Sequence, residues 1–151
     1  MRALHGLSWG LFAFIGALGT LMSVWTFVAP EGLPDMFAMM GADATLLRSA
    51  EARDLVAFMS RWIATVLIGG NVLAVAIAVT ALRRGERWAV LAMAYWPLMF
   101  LSHWLMYAPG PMRTLQLAWL LVSIPALIVL WRRGGAASVA QVRAVAHAPA
   151  G

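Results

Sequence analysis

Cysteine and lysine are both missing from these 151 residues. The first absence removes disulfides, thiolate metal sites and cysteine nucleophiles from consideration. Charge of either sign is scarce as well. Eleven arginines and six acids make up 11% of the chain, whereas a soluble domain carries roughly 25%. Apolar residues supply 63%, and the mean hydropathy is +0.83. That balance excludes a soluble globule. It also excludes intrinsic disorder, which requires low hydrophobicity and dense charge. By composition the chain is an integral membrane protein.

The charges fall in clusters that leave four uncharged windows: 28 residues between Arg2 and Glu31, 21 between Arg61 and Arg83, 25 between Arg87 and Arg113, and 18 between Arg113 and Arg132. A bilayer core about 30 Å thick takes roughly 20 residues of apolar helix. Four spans are therefore predicted, at about Leu7–Ala29, Trp62–Leu82, Trp88–Ala108 and Met112–Trp131. The fold class that follows is an all-α, integral membrane four-helix bundle. The first window is longer than the apolar core of a signal peptide, and Phe27-Val28-Ala29-Pro30 is a poor cleavage site, so it reads as a retained helix. Residues 1–133 form one transmembrane domain, and the alanine-rich stretch Gly134–Gly151, with Pro149, reads as a flexible cytoplasmic tail.

Four spans put both termini on one side, together with the turn Arg83-Arg84-Gly85-Glu86-Arg87. That side carries Arg2, Arg83, Arg84, Arg87, Arg132, Arg133 and Arg143 against Glu86 alone. The other side carries Arg48, Arg53, Arg61 and Arg113 against Glu31, Asp35, Asp43, Glu51 and Asp54. Short arginine-rich loops stay cytoplasmic. The expected location is the plasma (inner) membrane, multi-pass, with both termini inside. The pI near 11.4 then expresses topology and attraction to anionic headgroups. No nucleic acid partner is expected, because the arginines are not interleaved with aromatics on a soluble face. Trp25, Trp62, Trp104 and Tyr107 fall near the outer ends of their spans and Trp9, Trp88 and Trp131 near the inner ends, the pattern of an interfacial belt.

Between spans one and two, Leu33–Gly41 reads as a short helix begun near Pro34 and stopped by Gly41, and Asp43 as the cap of a second helix. From Leu46 onward Leu47, Leu55, Val56, Phe58 and Met59 alternate with Arg48, Glu51, Arg53 and Asp54 at helical spacing. The prediction is an outer-side amphipathic helical segment lying at the interface and running into span two. Inside the bilayer, helices associate through small residues and interhelical hydrogen bonds. Gly6, Gly10, Ala13, Gly16, Ala17 and Thr20 offer such a seam on span one, and Gly70, Ala74, Ala78 and Ala81 on span two.

No Asp, Glu, Lys or Arg lies inside a span, which argues against a proton-coupled transporter, a pump or a voltage sensor and leaves no intramembrane carboxylate for acid–base work. His103 is the polar residue to weigh, about five residues from the outer end of span three. Trp96, Met99 and Tyr107 share its helix face, and Pro97 frees the Met93 carbonyl, which favours a bend. Arg61, Thr65 and Gln116 are expected near its level. Together these residues outline a candidate ligand pocket. A packing histidine bonded to Gln116 or to a serine accounts for the same residues. At the midplane Asn71, Ser123 and Thr20 are expected to share a depth and make structural hydrogen bonds.

Neither a cofactor nor a metal is expected. Bis-histidine haem needs two histidines at matching depth, and His5 and His147 lie elsewhere. Met36, Met39, Met40, Met59, Met106 and Met112 on the outer side suit Cu(I), yet ten methionines in so apolar a chain cluster through composition alone.

The stretch Arg83-Arg84-Gly85-Glu86-Arg87-Trp88-Ala89, which follows one apolar span and opens another, resembles the short inner loop of small uncharacterised bacterial four-helix membrane families. The resemblance covers spans two and three and implies a bacterial inner-membrane protein. It assigns no catalytic residue. The expected function is a non-enzymatic accessory or a lipid- or apolar-ligand-binding module, partnered by the bilayer and by other membrane subunits or a second copy. The alternative is a small membrane enzyme or carrier acting on a lipid-like substrate around His103.

Overall fold

The computed structural model describes residues 2–29, 38, 41 and 44–146. Its helices are α1 (Arg2–Val28), α2 (Ala50–Ile77), α3 (Arg87–Met93), α4 (Tyr95–Met106) and α5 (Pro111–Ala146), with a 3-10 turn (Ala44–Leu47) before α2 and a π-helical turn (Ala78–Leu82) extending it. Four stretches are long and apolar enough to cross a membrane: Ala3–Val28, Ala50–Leu82, Arg87–Met106 and Pro111–Gly134. The protein is an all-α, multi-pass four-helix membrane bundle. The short helix expected over 33–41 and the cap expected at Asp43 lie almost wholly outside the described residues.

The second span begins earlier than the charge windows suggest. Ser49 caps α2 by accepting the Ala52 N–H at 3.0 Å, and Glu51 in the first turn complements the helix dipole. No proline or glycine interrupts the helix before Gly69. With the π turn it runs 33 residues, about 50 Å at the helical rise. The amphipathic stretch is therefore the first turns of the spanning helix itself. The amphipathic helical segment expected ahead of span two is thus present, and it runs into the span without a break.

At its far end the helix widens. The Arg83 N–H reaches back to the Ala78 carbonyl, and the Glu86 N–H reaches Ala81 at 3.0 Å, both five residues back. Gly85 then reverses the chain at φ +81°, a conformation open chiefly to glycine. The third span is divided at Ala94 between α3 and α4, beside the Met93 carbonyl that Pro97 cannot serve. Pro125 sits inside α5 without dividing it. That helix continues to Ala146, into the stretch whose composition suggests a flexible tail; alanine, the best helix former, outweighs Gly134 and Gly135 there.

Packing pairs α2 with α1, α1 with α5, and α5 with α4, while the π turn touches α1 and α3. The core gathers Phe12, Ile15, Ala78, Leu82, Met93 and Leu130, among others, in the half of the bundle nearer the Arg83–Arg87 turn. Here α1 is the shared neighbour of α2 and α5. Its close approach to α2 is made by Gly16 and Gly19. A Cβ on Gly16 would stand 2.9 Å from Val75 Cγ2 and 3.1 Å from the Asn71 carbonyl oxygen, and one on Gly19 2.8 Å from Asn71 Nδ2. Gly6, Gly10 and Gly70 have nothing within 4 Å of that position. Of the glycines expected in the seam on α1, Gly16 makes the close approach, joined by Gly19, whereas Gly6 and Gly10 do not.

Asn71 is buried beside this approach and donates to Ser23 Oγ at 3.4 Å. Ser23 in turn donates to the Gly19 carbonyl at 2.7 Å. Thr20 and Ser123 bond within their own helices, to the Gly16 carbonyl at 2.9 Å and the Leu120 carbonyl at 3.1 Å. Hydroxyls in helices habitually bond to a carbonyl one turn back, which satisfies them in hydrocarbon without an interhelical partner. Of the three midplane residues, Asn71 is the one bonded between helices.

Candidate functional site

At the end of the bundle away from the Arg83–Arg87 turn, α4 and α5 run antiparallel and hold two ring contacts across their interface. The Arg113 guanidinium lies 5.0 Å over the Trp104 ring, a cation–π contact, and Phe100 stacks on Trp119 with centroids 6.2 Å apart. These pairs fix the register of the two helices. Midway between them, Gln116 on α5 comes level with Ser102 and His103 on α4.

The His103 ring is half-buried and stacks on Tyr107 one turn further on, centroids 5.2 Å apart and planes 9° from parallel. Tyr107 closes α4 with its N–H on the His103 carbonyl at 2.9 Å. Gln116 is half-buried, and its Oε1 is buried with no hydrogen-bond donor among the described residues. An acceptor left so costs about 1–3 kcal/mol. His103 and Tyr107 thus stack on α4, and Gln116 stands on α5, the helix packed against it.

Arg61 and Thr65 stand elsewhere. Arg61 Nε donates to the Phe27 carbonyl at 3.4 Å, which serves the unpaired C-terminal carbonyls of α1 and complements its dipole. Thr65 donates to the Arg61 carbonyl at 2.9 Å. Both belong to α2, whose main neighbour is α1 rather than α4. Depth alone made them look like neighbours of His103; the order of helices around the bundle separates them.

The opposite end is fastened by groups that the sequence reading treated as a lipid-facing belt. Arg83 lies 5.7 Å over Trp9 and Arg87 lies 5.2 Å over Trp131. Buried His5 donates from Nε2 to the Arg83 carbonyl at 2.9 Å, leaving Nδ1 buried and unpaired. Glu86 pairs with Arg84 at 2.7 Å and accepts the Trp88 indole N–H. Those bonds, the Trp88 one foremost and then Arg84, hold the Glu86 carboxyl below the usual carboxylate range. No sequence signal shows that His5 meets a carbonyl 78 residues away.

Among the described residues no group of three His, Asp or Glu side chains gathers in one place. The chain matches no protein-family model, no curated protein and no solved structure in comparisons with each. The likeness of its 83–89 turn to small four-helix families therefore rests at the level of an apolar four-helix membrane bundle.

Proposed function

We propose that this multi-pass membrane protein is a non-enzymatic accessory module that holds an apolar or lipid-like molecule bearing a hydrogen-bond donor, at the α4–α5 end of the bundle. The single observation that carries this reading is the buried, donorless Oε1 of Gln116. Beside it, the His103 ring forms no hydrogen bond among the described residues. A ligand hydroxyl or amide reaching Gln116 would remove the penalty of the unpaired acceptor. The site so proposed consists of His103, Tyr107 and Gln116; Arg61, which fastens α2 to α1, and Thr65, bonded within α2, lie outside it. The arginine excess at the Arg83–Arg87 end supports a bacterial inner-membrane location with both termini in the cytoplasm.

Purification in mild detergent followed by mass spectrometry of retained small molecules tests the reading. A co-purifying compound should fall about ten-fold in Gln116→Leu, as loss of one buried hydrogen bond near 1.4 kcal/mol implies. The variant's thermal stability should hold or rise, since an unsatisfied buried group is gone. Retention equal to that of the native chain would overturn the proposal. Turnover of a lipid extract that vanishes in His103→Ala would replace it with the enzyme or carrier alternative.

A further inference from the structure

At the basic end, α3 and α5 leave a groove of about 270 Å³ between them, lined by Val90, Leu91, Ala94, Leu127, Ile128 and Trp131 with Arg132 at its mouth. Its floor includes the buried Val90, and its rim is the outward-facing Leu91, Ile128 and Trp131. The division of the third span at Ala94 opens it, since α3 ends there and α4 continues from a new first turn. Such a volume is too small to receive a helix, one turn of which, about 10 Å across, displaces roughly 400 Å³. It suits an extended hydrocarbon chain.

The charges at the groove's mouth are of one sign. Arg87 lies over Trp131, on the rim, and Arg132 and Arg133 follow on α5, both exposed. The one acid on this end, Glu86, is engaged by Arg84 and Trp88, so it does not neutralise Arg87 or Arg132. An apolar slot that opens beneath two arginines at headgroup depth complements a molecule with a chain and an anionic head.

We propose that this groove binds one acyl chain of an anionic phospholipid, with the phosphate seated on Arg132 and Arg87. Guanidinium forks suit phosphate oxygens, and the Trp131 ring, already held by Arg87, walls the chain at the level of the glycerol. The site lies at the opposite end from Gln116, on other helices, and does not rest on the function proposed above.

Native mass spectrometry of the full chain with palmitoyl-oleoyl phosphatidylglycerol and with phosphatidylcholine of the same chains tests it. The native chain should retain the glycerol lipid about thirty-fold over the choline lipid, as roughly 1 kcal/mol for each of the two arginines implies. The double variant Arg87→Gln with Arg132→Gln should lose that preference. The control Arg83→Gln with Arg133→Gln, which removes equal charge from the same end and leaves Glu86 on Arg84, should keep it. Ala94→Phe, which fills the groove, should lower retention of both lipids. Equal retention of the two lipids by the native chain would overturn the proposal, as would equal loss in the two arginine pairs. It would also fail if Ala94→Phe abolished a dimer and left lipid retention unchanged, because the occupant would then be a second copy.

Discussion

Gly16→Leu should break the pairing of α1 with α2, while Gly10→Leu should leave the bundle folded. At Gly16 even a methyl group meets Val75 Cγ2 at 2.9 Å, the Asn71 carbonyl oxygen at 3.1 Å and the Val75 nitrogen at 3.3 Å. Two of those three atoms are backbone, so no rotamer change relieves the overlap. Overpacking of a filled interface costs about 1–3 kcal/mol and more for larger side chains, and lipid supplies no hydrophobic force to press the helices back together. Separation would also break the Asn71–Ser23 bond and leave Asn71 facing hydrocarbon. At Gly10 there is nothing within 4 Å to displace. Thermal unfolding in detergent, followed by size-exclusion chromatography, should show a large downward shift or aggregation for Gly16→Leu and a midpoint near native for Gly10→Leu.

The second large effect is expected at Phe12, which is wholly buried where α1, the π turn and α5 converge, among Ala78, Leu82 and Leu130. In water a buried Phe→Ala change costs about 3–5 kcal/mol, part of it the transfer of apolar surface and part the hole left behind. In a bilayer the transfer part shrinks, because an unpacked helix meets lipid instead of water. The hole remains. At about 24 cal/mol per Å³, a void of roughly 100 Å³ costs ~2 kcal/mol. Leu21, an outward-facing residue of the same helix, gives the comparison: Leu21→Ala should change stability by less than about 0.5 kcal/mol. Equal effects at the two positions, measured by denaturant titration in mixed micelles, would show that α1 is not packed as described.

The legible part of this fold was carried by charge. Arginine and acid clusters bound the four apolar windows, and each window falls within or nearly within one of the four long apolar helices, because an unpaired charge at the bilayer centre is costly. Pro97 marked the division beside Met93 because a missing N–H acts locally, on the turn before it. Local signals could not rank the glycines. Gly6-x-x-x-Gly10 and Gly16-x-x-Gly19 both look like contact faces, and what selects the second is which turn of α1 stands opposite Asn71 and Val75 of α2. The π turn was equally hidden, since its five-residue hydrogen bonds follow from how Leu82 and Ala81 are buried against α1 and α3.

In the candidate site, depth was readable and azimuth was not. Counting residues from the ends of the spans placed His103 and Gln116 at one level, in agreement with the register set by Trp104–Arg113 and Phe100–Trp119. The same counting placed Arg61 and Thr65 there too, although Arg61 reaches the end of α1 and Thr65 bonds within α2. A residue count gives distance along the membrane normal and carries no information about which helices are neighbours. The tryptophans behaved likewise. Their positions near the span ends were expected, but Trp9, Trp104 and Trp131 each receive an arginine from another helix, so they act as fasteners between helices as well as interfacial anchors.

The most direct test is topological. A reporter active only in the cytoplasm, joined after Arg133, should be active if the arginine-rich end that carries the 83–87 turn lies inside, as proposed. The same reporter inserted within the segment Gly41–Ala50 should be silent. Activity in that segment with silence after Arg133, or activity at both positions, would contradict a four-span bundle held with its basic end in the cytoplasm.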